Sequence, residues 1–466
     1  MKKLLPLFVL LVIVATSSRA SALPIFARKY KTSCTTCHTV FPKLTPFGEQ
    51  FRRNGYRFPG VDSDVTKAEP VALGTDESKT AWPDAAWPGL LSPFPPLAFG
   101  MNGQAIIHPD RGSSQGVADN HNVFNLDTLI EEGHLWAAGA IDDSITFYSE
   151  LTASRTAGVD FETAAVYFND LVGPAHAVNL AVGRRIGTYT SFQNHASYFN
   201  DLMLPAVPVT GMYGATSDPF TFNDNHNGLE VNGVLGCRFD YSAGLAAGTN
   251  VDMRNSANVY AHAGYKIGGS TLDGETTGGV PQDLDHEKSL TIDAFAYHST
   301  SRFNDNTVDA TGAPAPVLTK DNATTFGGAL RGQYAEFEID AGMFYQTDDH
   351  VSSTAPTTNT LAQWDEVSYL LYPWLAVGGR VDYLHVSQDG GTTASALRIT
   401  PGVAALIRPN IKLTLTAPIE NATHADAVDL TQAGFSANPG STNFDMTSGK
   451  VSTEFEQIQL QLWAAF

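Results

Sequence analysis

The sequence predicts an all-β fold: a transmembrane outer-membrane β-barrel of about sixteen strands, preceded by a short α-helical segment. Three observations support this prediction. Apolar residues recur at every second position downstream of residue 99, short and long connections alternate in the last third of the chain, and 41 Gly and 16 Tyr accompany only 16% charged residues. The mean hydropathy of −0.11 is too polar for a bundle of membrane-spanning helices.

The charge balance argues against one class of partner. The 466 residues include 48 Asp and Glu against 28 Lys and Arg, which gives a formal net charge of −20. Nucleic-acid binding draws its affinity from Lys and Arg on phosphates, so we expect no nucleic acid as a partner. The hydrophobic content of 43% is too high for a solvated disordered chain.

The first 22 residues predict a cleaved secretory signal peptide. Lysines at 2–3 form the positive region, an apolar stretch follows at 4–15, and 20–22 form a cleavage site with alanine at both ends. A membrane anchor is the alternative, but the stretch is short for a bilayer and Arg19 interrupts it. Export makes the three cysteines informative, because an odd number cannot all pair in disulfides.

Residues Cys34-Thr35-Thr36-Cys37-His38 form a C-x-x-C-H motif, the attachment signature of c-type heme. Two thiols on one turn reach two vinyl groups of one porphyrin, and the imidazole that follows becomes the proximal iron ligand. The sequence therefore predicts one covalently attached heme c, bound through Cys34 and Cys37, with His38 on the iron. The alternatives are a disulfide or half of a zinc site. Zinc would need a second ligand pair, and the remaining cysteine, Cys237, lies about two hundred residues away.

The flanking residues suit a small heme-binding segment. Thr45 and Pro46 are a good N-cap and first residue for a helix, which places Phe47 and Phe51 on one helical face, where their rings could cover a porphyrin edge. The segment is locally basic, and heme propionates would pair with such side chains. For each basic residue taken alone, the alternative is a solvated charge on the surface. The basic residues are Arg28, Lys29, Lys31, Arg52 and Arg53.

Residues 24–28, 34–38, 41–48 and 55–56 resemble the N-terminus of the fused monoheme c-type cytochrome–porin family, which includes the Cyc2-like outer-membrane iron oxidases. The resemblance covers about residues 23–59. It implies a heme segment ahead of the barrel and single-electron transfer across the outer membrane, with extracellular Fe(II) as one donor and a periplasmic c-type cytochrome as acceptor. It implies electron transfer more strongly than any one donor, so Fe(II):cytochrome c oxidoreductase activity stays open.

Residues 60–98 predict an acidic, proline-rich linker, and 99–466 the barrel. In the last strand Ile458, Leu460 and Leu462 alternate with polar residues, and the chain ends on Phe466, as in C-terminal strands of bacterial outer-membrane barrels. Residues 337–345 and 411–419 alternate in the same way. A soluble β-sandwich would alternate too, so the connections must decide between the two folds.

The predicted connections are asymmetric, as in outer-membrane barrels. Tight turns are expected at Asp142-Asp143, 335–336, Pro373 and 409–410, with long loops at 346–363 and 420–449. Strand parity puts both barrel ends and these turns in the periplasm. It assigns the long Gly-rich stretch 268–288 to that side as well, against the expected pattern. The longest gap, 186–228, is predicted to fold into the lumen.

The sequence thus predicts a bacterial outer-membrane protein in contact with lipid, with its heme segment in the lumen or on the periplasmic side. The sixth iron ligand stays open, and Asp348-Asp349-His350 are the most compact group on a predicted external loop. Two functional alternatives remain: a passive porin or binding channel with a structural or sensory heme segment, and a secreted soluble heme enzyme. The candidates for the sixth ligand are His134, His262, Met101, Met203 and Met212.

Overall fold

The computed structural model describes 25–30, 32–40, 43–57, 71–72, 75–81, 83, 90–91, 97–108, 113–114, 117–118, 123–126, 129–141, 144–155, 158–185, 197–198, 225–247, 256–272, 287–304, 318–350, 357–388, 393–408, 410–423, 444–445, 450–451, 454–455 and 458–465. The predicted signal peptide, most of the predicted linker, Met203 and Met212 lie outside these residues. No helix among the described residues is long and apolar enough to cross a membrane.

Sixteen strands close into one antiparallel barrel. β1 begins at Leu97, two residues before the position from which the alternation is predicted. The barrel closes where β16 pairs with β1, with Leu460 opposite Ala105. The strands are β1 Leu97–His108, β2 Glu132–Ala140, β3 Ile145–Ser154, β4 Gly158–Phe168, β5 Asn179–Arg185, β6 His226–Leu235, β7 Phe239–Ala247, β8 Ser256–Gly268, β9 Lys288–Asn304, β10 Leu318–Tyr334, β11 Phe337–His350, β12 Thr358–Tyr372, β13 Leu375–Gln388, β14 Thr393–Arg408, β15 Ile411–Thr416 and β16 Ile458–Ala465.

Short pieces extend or flank this barrel. Val123–Asn125 pairs with β1, and Ile419–Thr423 continues along β14 beyond β15. The other short strands are Phe444–Asp445, Lys450–Val451, Glu454–Phe455, the pair Val71–Ala72 and Leu90–Leu91, and the pair Ser113–Ser114 and Val117–Ala118. The predicted linker also holds one short helix, Asp76–Ala81.

The strands expose apolar side chains outward and bury polar ones inward. On β11 Phe337, Ile339 and Met343 are each about half exposed, while Glu338 and Asp340 between them are 3% and 1% exposed. β15 and β16 follow the same rule, as the period of two predicts. An outward face of this composition would be costly in water and is suited to lipid.

Five tight connections lie at one end of the barrel, named here the short-turn end: 141–144, 236–238, 335–336, 373–374 and 409–410. The tight turns expected at 335–336 and Pro373 are therefore confirmed, and the strand ends on either side of 142–143 and 409–410 agree with the other two. The opposite end has short connections as well, between Ser154 and Gly158 and between Gln388 and Thr393. The connection from 269 to 287 is at the short-turn end, because β8 ends there and β9 begins there. Strand parity was thus right about this Gly-rich stretch.

One expected loop is wrong in its extent. The connection predicted at 346–363 is shorter, because β11 continues to His350 and β12 begins at Thr358. Backbone pairing extends the two strands past the apolar stretch, with Asp348 opposite Thr358. Asp348 is buried toward the lumen and Asp349 is exposed on the other face, so alternation separates the predicted acidic group.

The gap between β5 and β6 reaches into the lumen where it is described. The backbone N–H of Tyr198 donates to Glu366 at 2.8 Å, and its hydroxyl donates to Glu338 at 3.1 Å. Both carboxylates belong to the inner face of the barrel, and the Tyr198 side chain is fully buried against Ala376 and Ala404. The prediction of a lumen loop is confirmed at residues 197–198.

Candidate functional site

The N-terminal segment folds into small elements inside the barrel. Helix α1 spans Ile25–Tyr30, a 3-10 turn spans Cys34–Thr36, two short strands pair at His38–Val40 and Lys43–Leu44, and helix α2 spans Pro46–Arg53. α2 starts as predicted: the Thr45 hydroxyl accepts a hydrogen bond from the Gly48 N–H at 3.1 Å, and Pro46 is the first helical residue.

Lys43 anchors the segment to one side of the barrel wall. Its Nζ is 2.6 Å from the Asp340 carboxylate, and its side chain is fully buried. Glu338 and Glu366 lie 3.5 and 3.6 Å from the same Nζ. Burial works against the ammonium, but the surrounding carboxylates outweigh it and hold the pKa of Lys43 above its ordinary value. The guanidinium of Arg331 also donates to the Leu44 carbonyl at 2.6 Å.

The other side of the segment is held by different strands. Arg53, at the end of α2, forms an ion pair with Asp240 of β7, and Arg57 pairs with Asp170 after β4. The Tyr56 ring stacks on Tyr148 of β3 with centroids 4.5 Å apart. These partners lie at or near the short-turn end, so contacts on several sides of the wall hold the segment in that end of the lumen.

The C-x-x-C-H motif forms a single tight turn. The Cys37 N–H donates to the Cys34 carbonyl at 3.1 Å, so both thiols belong to one turn and His38 begins the strand that follows. Cys34 is buried and Cys37 half-buried, and neither forms a disulfide. Within the described part of the chain, the groupings of three or more potential metal ligands do not include these three residues, so the zinc alternative gains no support.

The two thiols are poor candidates for a reactive dithiol. Burial, with a smaller contribution from neighbouring Cys34, raises the pKa of Cys37 to about 12, and burial also raises the pKa of Cys34. Redox-active C-x-x-C pairs need a lowered pKa, because the thiolate is the nucleophile. The raised pKa values favour the protonated thiols at neutral pH, which argues against a redox-active pair.

An aromatic cluster packs against Cys37: Phe26, Tyr30, Phe47, Phe51 and Tyr56. The Phe51 ring lies edge-on to Phe26 with centroids 4.7 Å apart and to Tyr30 at 5.8 Å. α2 also rests directly on the motif, because a Cβ on Gly48 would lie 2.1 Å from the Cys37 carbonyl oxygen. Two thiols on one turn, an adjacent imidazole and a buried aromatic surface are compatible with a covalently attached porphyrin.

The lumen histidines predicted from strand parity both point inward and are buried. His262 on β8 lies between Asp240 and Asp293, with Nε2 2.9 Å from the Asp293 carboxylate. His134 on β2 has its Nδ1 3.1 Å from Glu150. Each histidine is thus engaged by carboxylates of the wall, and Met101 lies on β1.

Sequence reasoning missed the partners that dock the segment. Lys43 is 297 residues from Asp340, and no local pattern connects them. One feature of the sequence could have predicted a docking partner. Strand alternation places Glu338 and Asp340 on the inner face, and two buried carboxylates on one strand require a cationic partner.

No family model and no curated protein matches the chain. Solved outer-membrane structures are similar at low identity: OmpT of Vibrio cholerae, folded in vitro, is 10% identical with a TM-score of 0.48 over 79% of this chain and 96% of its own. An anion-selective porin from Comamonas acidovorans is 10% identical, with a TM-score of 0.47 over 79% and 99%. OmpF of Salmonella typhi with daunomycin is 14% identical, with a TM-score of 0.45 over 79% and 97%. The candidate site is therefore defined by this chain's own residues: a Cys-x-x-Cys-His turn docked in the lumen of a closed sixteen-stranded barrel.

Proposed function

We propose that the chain is an outer-membrane cytochrome–porin fusion that transfers single electrons across the membrane through one covalently bound heme c. One observation carries the proposal. The turn that holds Cys34, Cys37 and His38 lies inside a closed barrel, packed against an aromatic cluster and ion-paired to the wall. Such a segment narrows a passive channel, whereas a redox centre must sit between the two sides of the membrane.

The barrel supplies the membrane location in this proposal. Its outward apolar side chains, such as Phe337 and Ile339, would contact outer-membrane lipid. The short-turn end would face the periplasm, where outer-membrane barrels carry their short turns. The heme segment would then lie at the periplasmic end, within reach of a periplasmic c-type cytochrome.

Each residue of the segment has a distinct task in this function. Cys34 and Cys37 would hold the heme through thioethers, and His38 would bind the iron, which supplies reversible one-electron chemistry. The aromatic cluster excludes water from that surface, and burial of this kind helps to set a heme potential. Lys43 and Arg53 fix the segment in the lumen, so that the redox centre keeps one position relative to both faces.

Extracellular Fe(II) is the donor that we propose. A net charge of −20 favours cations over anions near the barrel, and buried carboxylates line its inner face. The alternative, a passive porin with a structural or sensory heme segment, predicts wide conductance that does not depend on the segment. The docked segment and Tyr198 both fill part of the lumen and weigh against it.

Covalent heme attachment is the first test. We expect the full-length chain, expressed with a c-type heme maturation system, to retain heme on a denaturing gel in the outer-membrane fraction. Replacing Cys34 and Cys37 together by Ala should abolish the heme stain, because both thioether positions are lost. Cys237→Ala is the matched control and should stain like the parent, since Cys237 lies in the turn between β6 and β7. An unstained parent chain would overturn the proposal.

A further inference from the structure

Three glutamates surround His134 on the lumen wall formed by β2, β3 and β4. His134 Nδ1 lies 3.1 Å from the Glu150 carboxylate, and the ligand atoms of His134, Glu150 and Glu162 all lie within 4.8 Å of one another. On the other edge of the ring, Nε2 is 3.6 Å from Glu132. Two ligands bound to a metal at about 2.1 Å lie about 3.0 to 3.4 Å apart, so the Nδ1 to Glu150 separation matches one edge of a coordination polyhedron.

A β-bulge in β4 positions Glu162. In the pairing of β3 with β4, Glu150 is opposite Thr163 and Leu151 is opposite Phe161, so Glu162 is an extra residue in a β-bulge. Phe161 is exposed on the outer face, and Thr163 is buried toward the lumen. The bulge therefore brings two consecutive side chains to the inner side, and re-aiming one side chain is a common use of bulges beside functional sites.

Within the described residues, the negative charge around His134 is not balanced by a Lys or Arg. Among the residues that the structure describes, Glu132 and Glu150 form ion pairs with His134, and none of these glutamates pairs with a Lys or Arg. Hydroxyl and amide groups supply the remaining contacts: Thr152 donates to Glu162, Tyr148 to Glu150 and Asn102 to Glu132. Three carboxylates against one imidazole leave an excess negative charge that a bound cation would neutralise.

The imidazole is oriented for such a cation. A cation on Nδ1 would leave the imidazole proton on Nε2, and the Glu132 carboxylate lies 3.6 Å from that nitrogen. The rings of Trp136 and Trp463 lie on the histidine ring with centroids 5.4 and 5.1 Å away and hold its plane. The second cluster of this kind, Asp240, His262 and Asp293, differs because Arg53 already provides a countercharge.

We propose that His134, Glu150 and Glu162 form a lumen site for one first-row divalent cation. One imidazole nitrogen and two carboxylates suit Mn²⁺, Fe²⁺, Co²⁺ or Zn²⁺ better than Ca²⁺ or Mg²⁺, which prefer all-oxygen ligands. This binding does not depend on a heme.

The site joins the aromatic cluster through direct contacts. Glu150 accepts a hydrogen bond from the Tyr148 hydroxyl at 3.3 Å, and Tyr148 stacks on Tyr56. Tyr56 stacks in turn on Phe26, with centroids 5.7 Å apart, and both rings pack in the cluster that contacts Cys37. A role of the bound cation as an electron donor rests on the proposed function, whereas the binding of the cation is independent of that function.

Mn²⁺ binding to the purified full-length holoprotein tests the site, with free Mn²⁺ followed by its electron paramagnetic resonance signal. We expect one bound Mn²⁺ per chain, which Zn²⁺ displaces and the same concentration of Mg²⁺ does not. Glu150→Gln and Glu162→Gln keep the side-chain shape and should each weaken binding at least about tenfold. Asp293→Asn, a carboxylate beside the other lumen histidine, is the control and should bind like the parent.

Two results would overturn the site. One is a parent protein that binds no Mn²⁺ while migrating as a folded barrel on an unheated gel. The other is glutamine variants that fold and bind Mn²⁺ as tightly as the parent. The assay uses no redox step, so its failure is distinct from a failure of heme attachment or electron transfer.

Discussion

At the scale of single residues, the docking of the heme segment depends on charges that are buried and paired. Lys43 is fully buried among Asp340, Glu338 and Glu366, and the Tyr198 ring lies 4.2 Å from its Nζ. Removing one partner of a buried ion pair is costlier than losing a surface pair, because the remaining charges stay desolvated. Lys43 is therefore the residue on which docking depends most.

Lys43→Met should release the segment from the lumen. The change keeps an unbranched side chain but removes the buried cation that three carboxylates share, and Arg331 remains paired only with Glu338 and Asp340 among them. We expect docking to weaken by about 3 to 5 kcal/mol. Limited proteolysis of the outer-membrane protein should then cut within 25–57 much faster than in the parent. Lys29→Met is the control, since the half-buried Lys29 donates to the hydroxyl of its neighbour Tyr30 at 3.0 Å within the same segment. Equal cutting rates for the two variants would contradict this role of Lys43.

At the scale of elements, helix α2 shows how much the sequence could predict. Thr45 and Pro46 define its start, and Phe47 and Phe51 are buried on one face, because capping and helical spacing are local properties. The strand alternation and tight turns are local in the same sense. The bulge at Glu162 and the pairing of Lys43 with Asp340 were not predictable, since each depends on which distant strands become neighbours.

Gly48→Ala tests the contact between α2 and the motif. The new Cβ would lie 2.1 Å from the Cys37 carbonyl oxygen, a backbone atom that cannot move without displacing the turn. We expect heme attachment to fall severalfold, measured as heme absorbance per chain. Gly332→Ala is the control, because its Cβ would lie 3.8 Å from the Leu290 side chain and 4.0 Å from the Ile339 carbonyl oxygen, both ordinary van der Waals contacts. Full heme loading of Gly48→Ala would show that α2 does not need this close approach.

At the scale of the whole molecule, the barrel and its N-terminal segment form one folded unit. The segment reaches β3, β7, β10, β11 and β12 through its contacts, so the barrel wall completes the surroundings of the Cys34–His38 turn. Closure of β16 on β1 removes the free edges, and the outward apolar face suits lipid. We propose that this architecture carries electrons from one side of a membrane to the other.

Electron entry through the assembled protein is the decisive test of electron transfer across the membrane. Holoprotein is reconstituted in lipid vesicles that enclose oxidised c-type cytochrome, and Fe(II) is added outside under anaerobic stopped-flow conditions. We predict reduction of the barrel heme, seen in its α-band, followed by reduction of the enclosed cytochrome. Vesicles with the variant that lacks both Cys34 and Cys37 should show neither change. A bound heme that stays oxidised, together with an enclosed cytochrome that stays oxidised, would contradict electron transfer through the barrel.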